Sequence, residues 1–294
     1  MDNRFKGTGV ALVTPFHKQG TIDFNSLEKL VEHTITNGIN YLVVMGTTGE
    51  SATLSKEEKH AVMQFVVETA NKRVPIVLGI GGNNTQEVIN KLRTNSLDGV
   101  DAILSVAPYY NKPQQKGLYL HFKNIAAASP LPIILYNVPG RTSVNIKPET
   151  TLMLASEFSN IIGIKEASGN LEQIMEILRH RSKDFLVISG DDLLTLPLLA
   201  LGADGLISVT ANAYPKEFSE MVQYGLKGDF KKAREIHFRL FEIITTLFAD
   251  GSPAGIKAAL EILGIISNHL RLPLVKVEKN IYNQLSTLIQ ENQK

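Results

Sequence analysis

The sequence predicts an α/β chain folded as a (β/α)8 TIM barrel with an appended C-terminal helical layer. Eight short apolar runs, each bounded by Gly, Pro or polar residues, recur between residues 7 and 212. The runs are near-continuous rather than alternating, as expected of strands buried on both faces of a parallel sheet. Segments of helical periodicity lie between them, so a strand–helix unit repeats eight times, which fits a closed barrel. A doubly wound sheet is the alternative, but its usual fingerprint, G-x-G-x-x-G after the first strand, is absent.

In chain order the strand runs are GTGVALVTP (7–15), YLVVMGTT (41–48), PIVLGIGG (75–82), AILSVAP (102–108), PIILYNVP (132–139), IIGIKEAS (161–168), FLVISGDD (185–192) and GLISVTAN (205–212). Helical segments between them include SLEKLVEHTITN (26–37) and SKEEKHAVMQFVVETA (55–70). After Asn212 the pattern is helical only. KEFSEMVQYGLKG supplies the eighth barrel helix, and DFKKAREIHFRLFEIITTLFAD, SPAGIKAALEILGI and VEKNIYNQLSTLIQENQ form the added layer. LRLPLVKV (270–277) reads as an extended linker before the last helix. The expected division is a catalytic barrel over 1–225 and a helical region packed on it over 226–294.

Composition narrows the function. A chain of 294 residues can bury roughly 75% of its unfolded surface, so its core needs no staples. The net charge of +1 and the lack of a basic stripe argue against nucleic acid or a membrane surface as partner. Without cysteine there is no disulfide, thiolate catalysis or Cys-ligated zinc. The N-terminus has no signal-peptide core, and no apolar run approaches the roughly 20 residues that span a bilayer. A soluble, cytoplasmic protein is expected.

Barrel active sites lie at the C-terminal ends of the strands, so those ends are the residues to read. They carry hydroxyls, one lysine within a strand and one arginine. The seven histidines form no metal-ligand spacing, which argues against a metallohydrolase and for no metal. Asp191 and Asp192 follow the seventh strand, where barrels usually hold phosphate, and would repel it. The GIGGNNTQE stretch (79–87) reads as a tight turn with Thr85 capping a helix. No phosphate handle and no nucleotide cofactor are expected.

Lys165 is the only lysine within a strand run. Strand alternation puts Gly163, Lys165 and Ala167 on one face and Ile164 and Glu166 on the other. If Lys165 points into the mouth, Gly163 beneath it leaves room, and desolvation favours an uncharged amine able to attack a carbonyl. Glu166 should then point away from the site. Tyr136 ends the neighbouring strand and can move protons beside the amine. Arg141, in VPGRT, offers a fork for a carboxylate. GTTGES offers the Thr47 and Thr48 hydroxyls and glycine-exposed N–H groups as a nest for a second carboxylate, with Ser51 or Thr53 as helix caps.

GTTGES, PYYNKP, YNVPGRT, GIKEASGN, SGDD and GLISVTAN, in this order, resemble the dihydrodipicolinate synthase family, also called 4-hydroxy-tetrahydrodipicolinate synthases. The likeness runs from about Gly7 to the LRLPL segment. The wider superfamily of pyruvate-dependent class I aldolases includes N-acetylneuraminate lyase and keto-deoxy-sugar-acid aldolases, which share the lysine and tyrosine. Arg141 and Tyr110 favour the synthase over these; an inactive barrel paralogue is the remote alternative.

The resemblance implies a lyase of the diaminopimelate route of lysine biosynthesis that condenses pyruvate with L-aspartate 4-semialdehyde. Lys165 would carry the covalent imine, with no cofactor. Tyr136, Thr47 and Tyr110 would relay protons, Tyr110 coming from a neighbouring subunit. Thr48 would bind pyruvate's carboxylate, Arg141 that of the aldehyde, with the Ile207 carbonyl and Gly190 lining the site. A homotetramer, a dimer of dimers, is implied. A feedback pocket for L-lysine would fall on Ser51, Ala52, Leu54, Lys56, Asn83, Glu87 and Tyr109. Lysine-inhibited members carry histidine where this chain has Lys56, and often where it has Lys59. A cation there disfavours a cationic ligand, so weak or absent feedback is expected.

Overall fold

Every predicted strand buries both faces, and the strands close on themselves. The computed structural model describes residues 3–293. The strands are β1 (Gly7–Ala11), β2 (Tyr41–Val44), β3 (Ile76–Gly79), β4 (Ala102–Val106), β5 (Ile133–Asn137), β6 (Ile161–Glu166), β7 (Leu186–Ser189) and β8 (Gly205–Ser208). They pair in parallel in sequence order, and β8 returns to β1 to seal the barrel. The connecting helices are α1 (Phe24–Thr36), α2 (Lys56–Ala70), α3 (Thr85–Thr94), α4 (Gln115–Ala128), the single turn α5 (Pro139–Thr142), α6 (Pro148–Glu157), α7 (Leu171–His180), α8 (Thr195–Ala200) and α9 (Pro215–Leu226). Then follow α10 (Phe230–Ala249), α11 (Ala254–Ile262) and α12 (Lys279–Asn292). Residues 263–278 join α11 to α12 without helix or strand, and the linker expected over 270–277 lies within them.

The strands are shorter at their C-terminal ends than the apolar runs that predict them. Leu12 and Val13 are buried although the first strand stops at Ala11. Both pack into the outer apolar layer between strands and helices, so loop residues here are as apolar as strand residues.

Two apolar layers follow from strand parity. Val10, Leu42, Ile103, Leu135, Ile164 and Leu206 face outward to the helices. Tyr41, Val43, Leu104, Ile134, Tyr136, Leu186, Ile188 and Ile207 fill the interior. At the N-terminal end Phe5 and Tyr41 meet edge to face at 5.7 Å and close the bottom. The Tyr41 ring occupies the space over Gly9, where an added Cβ would come within 2.3 Å of it. The barrel is therefore a packed core with an open end only at the top.

Two expected helix caps fall elsewhere. Asn84, not Thr85, caps α3, because its side chain accepts from the Gln86 and Glu87 amides. Thr85 instead bonds His121 Nδ1 at 2.8 Å. Ser55, not Ser51 or Thr53, caps α2, in a reciprocal box with Glu58. In both cases the helix starts where a side chain reaches the N3 amide. Among the described residues no helix is long and apolar enough to cross a membrane.

Candidate active site

β5 and β6 bring the two predicted residues together. Tyr136 and Lys165 are direct cross-strand partners. Both point into the barrel, and both are nearly buried, at 7% and 6% exposure. Lys165 Nζ lies 4.4 Å from the centre of the Tyr136 ring. A lysine against an aromatic face, with apolar walls below, is held in one place and largely desolvated.

The glycine that makes room for Lys165 is not the expected one. A Cβ on Gly163 would meet Leu186 at 2.7 Å, so the neighbouring strand fills that space. A Cβ on Gly190 would lie 2.9 Å from Lys165 Cε and 3.1 Å from its Cγ. Gly190 therefore shapes the channel of the lysine side chain. Replacing Gly190 with Ala should push Lys165 off its path and slow its reaction with a carbonyl compound about tenfold or more. Stopped-flow trapping of the adduct measures this, and an unchanged rate would contradict it.

Glu166 points to the outer face, as parity requires, but it is no passive surface charge. It is only 1% exposed. Asn137 Nδ2 donates to both of its oxygens at 3.1 Å, the Ser168 amide at 2.8 Å and Gln173 Nε2 at 3.1 Å. Asn145 joins the network through Asn137 and Gln173. Burial pushes the Glu166 carboxyl above the usual carboxylate range, and these donors oppose the shift. The network clamps β5 to β6 directly behind Tyr136 and Lys165. Asn137 and Glu166 are themselves register partners, one position beyond the site pair. Parity and register applied to YN and KE could have predicted it.

The loops supply the rest. Thr47–Gly49 forms a 3-10 turn between two left-handed residues, Met45 (φ 61°) and Glu50 (φ 51°). Thr48 is buried and Thr47 exposed. Thr14 Oγ1 donates to the Gly49 carbonyl at 2.7 Å and fixes the turn against the first loop. Ile207 lies in the interior on β8. Arg141 is exposed on α5, and among the described residues its guanidinium makes a single bond, 3.4 Å to the Ser252 carbonyl, so its fork is available. Tyr110 is 89% exposed and has almost no contact with its own chain. One chain thus puts Lys165, Tyr136 and Gly190 side by side, places Ile207 in the same interior layer and Thr48 on the turn that follows β2, and leaves Tyr110 exposed.

One expectation about charge changes. Asp191 and Asp192 do not form a repulsive pair facing the mouth. Asp191 accepts the Leu193 and Leu194 amides, and Asp192 is buried, accepting the amide and hydroxyl of Thr210 at 2.9 and 2.6 Å. These carboxylates tie loops together. Of the residues expected in a lysine pocket, Leu54 is buried in the core, and only Asn83 lines the depression of about 670 Å³ between α3 and α4. Burial, reinforced by nearby Lys91, lowers Lys59 below the ordinary lysine range. Among the described residues no cluster of three or more His, Asp or Glu could hold a metal ion.

The chain matches the model of the Dihydrodipicolinate synthetase family over residues 4–292. It is 51% identical over 290 residues to the 4-hydroxy-tetrahydrodipicolinate synthase of Parabacteroides distasonis, covering 99% of this chain and 98% of that protein. The fold matches dihydrodipicolinate synthase from Aquifex aeolicus with a TM-score of 0.95 at 42% identity, over 98% of each chain. A monomeric dihydrodipicolinate synthase variant matches with a TM-score of 0.96 at 39% identity, over 99% of this chain and 97% of that one.

Proposed function

Because the chain belongs to the dihydrodipicolinate synthetase family, we propose that its barrel mouth performs the reaction of that family's synthases, with Lys165 as the nucleophile. The enzyme is a lyase of lysine biosynthesis by the diaminopimelate route, condensing pyruvate with L-aspartate 4-semialdehyde. One observation carries the assignment of roles: a buried lysine, alone among the strand residues, placed 4.4 Å from the Tyr136 ring at the open end of the barrel.

The chemistry follows from the residues. Lys165 Nζ attacks the keto carbon of pyruvate, and loss of water gives an imine. The imine draws electrons from the methyl group, which loses a proton to form an enamine. The enamine carbon attacks the aldehyde. The substrate's own amine then displaces Lys165 by transimination, closing the ring and freeing the enzyme. This route needs no external cofactor, because the imine is the electron sink. Tyr136 and Thr47 carry protons, with Tyr110 from a second chain. Thr48 and the N–H groups of its turn hold the pyruvate carboxylate, and Gly190 and the Ile207 carbonyl border the imine. Residues 1–225 form the catalytic unit and 226–294 the helical region, in a cytoplasmic homotetramer.

Arg141 sets the choice of aldehyde by binding its carboxylate. Replacing Arg141 with Leu should raise KM for the semialdehyde about tenfold or more and leave pyruvate trapping intact. A coupled assay with the semialdehyde, N-acetylmannosamine and sugar aldehydes should show turnover of the first alone. Turnover of a sugar aldehyde at a comparable rate would move the assignment to an aldolase.

L-lysine should bind weakly. Lys56 and Lys59 place positive charge at the expected pocket, and Lys91 adds to it. A calorimetric titration should show no saturable heat below about 1 mM ligand; tight binding would contradict this.

A further inference from the structure

The turn that carries Thr47 and Thr48 is held from outside the barrel. Glu50, the residue directly after it, forms an ion pair with Lys257 of α11, and neither side chain has any exposure. The two residues are 207 positions apart. Lys257 Nζ also donates to the His269 carbonyl at 2.8 Å and lies 4.2 Å from the centre of the Phe16 ring. The second Glu50 oxygen accepts the Arg271 amide at 3.1 Å. The Arg271 guanidinium packs 4.6 Å from the same Phe16 ring and donates to the Gly20 and Thr53 carbonyls and to Glu58. The Glu50 carbonyl accepts from both the amide and the hydroxyl of Thr53, each at 3.0 Å.

Stability alone does not account for this cluster. Burying a lysine and a carboxylate costs desolvation, and apolar residues of similar size often serve as well or better. Glu50 also adopts a left-handed backbone, which is costly for a residue with a side chain. What the pair does provide is position. Its carboxylate is the first side chain past Gly49, and the Glu50 amide closes the turn on the Thr47 carbonyl at 3.1 Å. Held from α11 on one side and by Thr14 on the other, the turn presents its hydroxyls and N–H groups in one geometry.

We propose that Glu50, Lys257 and Arg271 are positioning residues for the pyruvate carboxylate, and that through them the C-terminal layer sets the substrate turn. This rests on the reading of Thr48 and its turn as the carboxylate site. The helical layer is then part of the active-site machinery as well as a packing layer.

The full-length variants Glu50→Gln, Lys257→Met and the double variant test this. The readouts are kcat, KM for each substrate, the half-saturation of borohydride trapping by pyruvate, and the thermal midpoint. Glu50→Gln should raise KM and half-saturation for pyruvate about tenfold, with KM for the semialdehyde within about twofold. Lys257→Met should do more, since it leaves a buried carboxylate unpaired, and the double variant should fall back toward Glu50→Gln. If Lys257→Met does not fold, the other two variants decide. A lowered thermal midpoint with unchanged KM for pyruvate would make the cluster merely structural and overturn the proposal. Wild-type protein that gives no adduct on Lys165 would overturn the Schiff-base reading and this proposal together. A trapped wild type beside an unaffected Glu50→Gln would overturn this proposal alone.

Discussion

Replacing Lys165 with Ala should abolish the borohydride-trapped pyruvate adduct and lower kcat/KM by about 10⁴-fold or more. In the proposed mechanism the amine is both the attacking group and the atom through which electrons leave the pyruvate methyl, a double role no hydroxyl or guanidinium can fill. Lys165→Arg should be nearly as damaging. A guanidinium keeps its charge and cannot act as an amine nucleophile, although it preserves the cation against the Tyr136 ring. The Ala variant should still fold, because it removes a long side chain from the solvent end of the barrel and leaves the Leu186 and Ile188 layer below intact. Peptide mapping of trapped wild-type and variant protein, with circular dichroism as a folding control, checks this. A stoichiometric adduct on another lysine in the variant, or full activity, would end the Schiff-base assignment.

The barrel was legible because its determinants are local. Eight apolar runs between turn residues define eight buried parallel strands whatever the loops do. The Tyr136–Lys165 pair was legible for a related reason: strand parity gives each residue its face, and consecutive strands of a barrel are neighbours. What the sequence hides is what a side chain meets from a distant segment. Gly163 sits at the right spacing to make room for Lys165, but Leu186 leans over it from β7, and Gly190 does the work instead. Glu166 looked like the idle half of a Lys–Glu pair, yet helix α7 delivers Gln173 to it and makes it a clamp. Glu50 and Lys257 carry no mutual signal across 207 positions. Helix starts were misplaced by a few residues because capping depends on which oxygen reaches the N3 amide.

Mixing the Lys165→Ala and Tyr110→Phe variants should restore activity that neither has alone. Tyr110 is the least protected large apolar side chain near the mouth, 89% exposed, and its backbone is left-handed (φ 73°). An aromatic residue in that conformation persists only when its surroundings impose it. Here Asn83 Nδ2 bonds the Tyr109 carbonyl at 3.2 Å, Asn111 Nδ2 bonds the Asn83 carbonyl at 3.0 Å, and the Asn111 amide bonds the Tyr109 carbonyl at 2.9 Å. The loop is held so that the ring stands away from its own chain. Such an arrangement suits a residue that completes the site of a second chain, and alone Tyr110→Phe should cost about 10²-fold in kcat by breaking the proton relay. In a mixed dimer, the site built on the Tyr110→Phe chain takes its tyrosine from the Lys165→Ala chain and is whole, while the other site has both defects. Random reassortment of equal amounts across an isologous interface should therefore recover about a quarter of the wild-type activity. Steady-state assay of the reassorted mixture measures it, and the mixed dimer isolated after co-expression with two affinity tags should show about half of the wild-type activity. Activity no greater than the mean of the two parents would mean that Tyr110 acts within its own chain or not at all, and would remove the need for a partner from the catalytic cycle.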